Sequence, residues 1–81
     1  MNDMNEMNTK IGRLAGRIWK HLDEEGEVSY ARLRRTVVGS EFPMPDVALS
    51  CALGWLAREN KVHFSETGSG RGYRIRVTLV N

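Results

Sequence analysis

The sequence predicts an α+β domain of three helices followed by a β-hairpin, and two patterns in its 81 residues carry that prediction. Apolar residues recur at three- and four-residue steps in three separate segments of the first sixty residues, as they do on the buried face of a helix. Beyond that point the period changes to two, in a pair of alternating runs separated by a glycine-rich break.

The first helix is expected from Thr9, a suitable N-cap, to Glu25, with Gly26 supplying a left-handed stop. Ile11, Leu14, Ala15, Ile18 and Leu22 form its inner stripe, and Lys10, Arg13, Arg17 and Lys20 gather on another face. The acidic run "DEEGE" opposes the helix dipole at that end, which marks a solvated corner. Residues 1–8, "MNDMNEMN", read as a disordered N-terminal tail ahead of a domain at 9–81. They lack the basic and hydrophobic segments of a secretory leader.

Val28 reads as a brief strand and Ser29 as the cap of a second, short helix running through Val38, with Tyr30, Leu33 and Val37 inward. Gly39 ends it, and "SEFPMP" makes a connection stiffened by two prolines. Helix three follows over "DVALSCALGWLAREN", with Asp46 as its cap or in its first turn after Pro45 and Asn60 as its left-handed terminator. On a helical wheel Leu49, Ala52 and Leu56 form the buried centre of this helix, flanked by Ala48, Leu53 and Trp55. Its outward arc holds Asp46, Val47, Ser50, Gly54, Ala57 and Arg58. "KVHF" and "YRIRVTLV" then alternate as strands. Val62, Phe64, Tyr73, Ile75, Val77 and Leu79 face one way, and Lys61, His63, Arg74, Arg76 and Thr78 the other, with "SETGSGRG" as a loose tip. Two short helices joined by a turn and followed by a hairpin describe a winged helix-turn-helix.

The segments "IGRLAGRIWKHLDEEGEVSYARLRR" and "ALGWLARENKVHF" resemble a family of small prokaryotic winged helix-turn-helix domains of unassigned function. The likeness spans about residues 10–79 and rests on Gly12, Ala15, Gly16 and Trp19 in the first helix and on Leu53, Gly54, Trp55, Leu56 and Lys61 in and after the third. It implies the fold, and nucleic-acid binding as the expectation for the class.

Charge supports that expectation only weakly, because the net charge is +2, with twelve Lys and Arg against ten Asp and Glu. A lone cysteine, Cys51, cannot form an internal disulfide and fits a reducing cytoplasm. It reads as a small buried residue. His21, His63 and Cys51 form no metal-binding pair, "GSGRG" lacks the setting and lysine of a phosphate loop, and "DEEGE" has no partner base. Neither an enzyme nor a cofactor or metal protein is expected, nor any membrane span.

In a winged helix the third helix enters the major groove and the wing touches the backbone. Base readout needs hydrogen-bonding side chains, and the outward arc offers only Ser50 and Arg58. Six arginines could instead meet phosphates of double-stranded DNA: Arg32, Arg34 and Arg35 on the second helix, and Arg71, Arg74 and Arg76 on the hairpin. The expectation is DNA binding dominated by backbone contacts with little sequence selection, as a transcriptional regulator or accessory factor. Equally, those arginines can be solvated cover for apolar edges.

The rival reading is a protein-interaction or homodimerisation module using Gly12, Gly16, Val47, Gly54 and Ala57, together with the exposed edge strand. Glycine inside a helix costs about 1 kcal/mol relative to alanine, so three such positions require a reason. Close packing between helices of one domain is the favoured reason, and contact with a second copy is the other. Trp19 and Trp55 read as core or semi-core residues, with an interface anchor as the other use.

Overall fold

The computed structural model describes residues 3–72 and 74–80. Three helices, α1 (Asp3–Glu25), α2 (Tyr30–Thr36) and α3 (Pro45–Arg58), pack on an antiparallel sheet of strands β1 (Val28–Ser29), β2 (Val62–Thr67) and β3 (Arg74–Leu79). The sheet order is β1-β3-β2, so β3 is central and β2 forms one edge. These are the three helices, brief first strand and C-terminal wing of a winged helix-turn-helix.

Helix α1 begins at Asp3, six residues before the expected cap at Thr9, so residues 3–8 extend the helix and are not a loose tail. An ion pair at helical spacing supports the added turns. Ile11, Leu14 and Ile18 anchor the helix from which these turns extend, and Lys10 lies 3.9 Å from Glu6 across one helical turn. Leu14, Ala15, Ile18 and Leu22 are buried as expected, and the chain turns out of α1 at Gly26 with φ +79°.

Ser29 caps α2 by accepting a 3.1 Å hydrogen bond at Oγ from the Arg32 amide. Leu33 and Val37 are buried beneath it. The connection that follows contributes more than stiffness: Phe42 is buried in the core, a role its aperiodic, proline-bounded setting did not signal. Pro45 opens α3 with Asp46 in the first turn; Met44 is its N-cap and makes no side-chain capping bond. At the far end Asn60, at φ +61°, reverses the chain, and the Lys61 amide reaches back to the Leu56 carbonyl at 2.8 Å.

The core joins all the layers: Leu14, Ile18, Leu33, Leu49 and Ala52 from the helices meet Val77 from the sheet with no exposed surface. Each large side chain buried this way contributes about 1.5–3 kcal/mol relative to exposure. The hairpin is longer than expected. Strand β2 runs through Thr67, because Ser65, Glu66 and Thr67 find register partners in Arg76, Ile75 and Arg74. The loose tip is correspondingly short and contains a 3₁₀ turn at Gly70–Gly72. Tyr73, assigned to the inward face from the sequence, lies outside the described residues.

Candidate nucleic-acid interface

Helix α3 presents a surface almost without hydrogen-bonding groups. Its inner face is Ala48, Leu49, Ala52, Leu53 and Leu56, all buried, in agreement with the wheel. Val47, Ser50, Gly54 and Arg58 are exposed on the outside. Three residues depart from the expected side. Trp55 is 49% exposed and so stands outside the buried flank, and Cys51 is exposed, although its small apolar character suggested burial. Ala57 shifts the opposite way, to partial burial against the core.

The polar groups at the start of α3 are occupied within the chain. Arg34 Nε donates to Asp46 Oδ1 at 2.6 Å. The Tyr30 hydroxyl lies 3.4 Å from the same carboxylate oxygen and 3.5 Å from Ser50 Oγ. Asp46 would repel a phosphate if it stood alone; the paired guanidinium offsets that charge, and Arg34 is in turn held against α3. Of the two side chains on α3 that could read a base, Ser50 faces Tyr30, and Arg58 sits in the last turn.

The cations gather elsewhere. Arg35 from α2 and Arg74 and Arg76 from β3 line one cleft with Ser29, Tyr30, Ala31 and Ile75. An adjoining cleft joins Arg32 and Arg35 to Arg76, with Glu25 and Glu27 on its far side. Two elements create this arrangement. Strand β1 is only two residues long and pairs with Val77 and Arg76, so Arg74 and Ile75 extend past it. Alternation along β3 then puts Arg74 and Arg76 on the sheet face away from the core. Arg76 is drawn to Glu27 at 3.2 Å, and Arg74 Nη1 donates to the Arg71 carbonyl at 3.3 Å, which ties the strand to the 3₁₀ turn at the tip. Arg32, Arg35, Arg71 and Arg74 therefore form a chain of guanidinium-bearing positions from α2 to the wing, with Arg76 among them. Arg34 and Arg58 are not part of either cleft.

The glycines divide by use. A Cβ built on Gly12 would lie 3.7 Å from Trp55 Cζ3, so the indole of α3 lies over the α1 backbone there. Gly16 and Gly54 have no atom within 4 Å of such a Cβ, and both are exposed. Trp19 is 44% exposed, more open than a semi-core position, because it follows Ile18 around the flank of α1 away from the stripe. Close packing inside the domain thus reaches Gly12, where a Cβ would still fit at ordinary contact distance, and does not reach Gly16 or Gly54.

Among the described residues no group of three His, Cys, Asp or Glu side chains could hold a metal ion, and no helix is long and apolar enough to cross a membrane. The Glu41 carboxyl is held below its ordinary value, mainly by a 2.7 Å hydrogen bond from Arg17 Nη2 and secondarily by a backbone amide. That pair ties the α2–α3 connection to α1.

The profile of the family described as a winged helix-turn-helix domain, DUF2582, matches residues 1–73. No curated protein and no solved structure gave a match to the chain. The family match begins within the stretch read from the sequence as a tail, and in the structure residues 3–8 of that stretch are helical.

Proposed function

The chain belongs to the DUF2582 winged helix-turn-helix family, and we propose that it binds double-stranded DNA through the phosphate backbone, with little selection among sequences. The observation that carries this reading is the convergence of Arg35 and Arg74, from α2 and the wing, on one cleft. Guanidinium groups there can form paired hydrogen bonds to phosphate oxygens, the geometry for which arginine is suited. Arg32 extends the row along α2 and Arg71 extends it to the hairpin tip. Phosphate contacts fix a protein on the duplex without reading it.

Selectivity is limited by what α3 lacks. With Ser50 engaged by Tyr30, Arg34 by Asp46, and Gly54 and Val47 as its neighbours on the outside, the helix has little with which to distinguish base edges. The fold favours nucleic acid as the class of partner, and the side chains favour the mode proposed, that of a backbone-binding accessory or regulatory factor.

The test compares binding to several duplexes of unrelated sequence and equal length. The reading expects affinities within a few-fold of one another, all weakening steeply with salt. One duplex preferred by about 10³-fold or more, as in sequence-specific complexes, would overturn the weak-readout part. No binding to any duplex at low salt would overturn the function itself.

A further inference from the structure

Strand β2 is an edge strand of the sheet, and we infer that two copies of this chain join along it into one continuous six-stranded sheet. The direction of its backbone groups follows from the register. Val80 N donates to the Lys61 carbonyl at 2.9 Å, and Lys61 stands opposite Val80 because Val62 pairs with Leu79. Hydrogen-bonded and non-hydrogen-bonded positions alternate along an antiparallel ladder. Hence His63 and Ser65 turn their N–H and C=O groups toward β3, and Val62 and Phe64 turn theirs toward the open edge.

Phe64 adds the side-chain half of the argument. It lies opposite Val77, which is fully buried, and so belongs to the helix-bearing face of the sheet, yet at the sheet edge it is 46% exposed. A two-fold axis through Phe64 sets it directly opposite the partner's Phe64 at a hydrogen-bonded position, where each residue both donates to and accepts from the other. The two half-bare rings then share one face, as favourable cross-strand aromatic pairs do. The same register sets His63 against the partner's Ser65, Lys61 against the partner's Thr67 and Val62 against the partner's Glu66, so no like charges meet. Proteins that keep an edge single place charges, proline or a bulge on it; "VHFSET" has no proline and its register with β3 no bulge, and its one carboxylate, Glu66, meets the partner's Val62 and not a like charge. An unrelated extended peptide could use the exposed backbone, but the ring at the symmetry point favours a second copy.

The proposal is independent of DNA binding and is tested on the full chain without nucleic acid. Sedimentation across micromolar to millimolar concentrations should give twice the 9.2 kDa mass at the upper end. Residue-resolved amide exchange should show the Phe64 amide slowed at least tenfold as the dimer forms. Phe64→Lys should remain monomeric, with its far-UV spectrum unchanged. A chain that stays monomeric throughout overturns the inference. So does a dimer in which the Phe64 amide exchanges as fast as in the monomer, since the contact would then lie on another surface, such as that of Trp19 and Trp55. The exchange measurement on the unmodified chain decides the matter even if Phe64→Lys disturbs folding.

Discussion

Replacing Gly16 or Gly54 with alanine should stabilise the domain. Each glycine is interior to a helix, α1 and α3 respectively, and each has open space where a Cβ would stand, with no atom within 4 Å. The substitution therefore adds no clash and removes the backbone-entropy cost of glycine, a gain of about 0.5–1 kcal/mol per site. For a domain of this size that corresponds to about 2–8 °C in Tm. Gly12 is the internal control. Alanine there meets Trp55 at ordinary contact distance and should be tolerated, whereas Gly12→Leu must displace the indole and should destabilise. Thermal unfolding followed by circular dichroism, with guanidinium unfolding as a second measure, reads all four variants. If Gly16→Ala or Gly54→Ala lowers stability by about 1 kcal/mol or more, the outer face is not open, and the reasoning from the surrounding space is wrong.

Two further outcomes follow from the ion pairs. Asp46→Asn removes the carboxylate that holds Arg34 at 2.6 Å and takes a negative charge off the start of α3; DNA affinity should rise, with a salt dependence steeper by about 0.9 if Arg34 then reaches a phosphate. Unchanged binding would place that end of α3 away from the duplex. Glu41 has its pKa depressed in the folded state by Arg17, so its contribution to stability is present above the ordinary 4.5 and is lost as pH falls through the lower folded value. Glu41→Gln should accordingly be less stable than the parent near neutrality and converge with it in acid; a stability difference independent of pH would show that the pair does not act through charge.

Much of the architecture was legible because periodicity reports burial directly. The inner faces of α1, α2 and α3, the left-handed turns at Gly26 and Asn60, and the alternation of the wing strands all follow from local spacing. Where the sequence misled, the decisive information was tertiary. Trp55 sits at the margin of the α3 wheel, where exposure depends on how far α1 covers the helix, and α1 reaches it at the Trp55 ring over Gly12. Cys51 lies on the outer side of the same wheel, and its small apolar character alone had suggested burial. Phe42 lies in a stretch with no period at all, and its burial depends on the path of the connection. The extension of α1 to Asp3 was obscured by the polar residues of "MNDMNEMN". At the candidate interface, the arginines could be named from composition. The sequestering of Arg34 by Asp46, twelve residues away, and the meeting of Arg35 with Arg74 across two elements could not be read without the fold.

The salt dependence of binding to a random duplex tests the account most directly. If Arg32, Arg35, Arg71 and Arg74 each neutralise one phosphate, log K should fall with log salt with a slope of about −3.6, and Arg35→Ala combined with Arg74→Ala should halve it to about −1.8. A slope near zero, or one the double variant leaves unchanged, would contradict the claim that the cleft between α2 and the wing holds the DNA backbone.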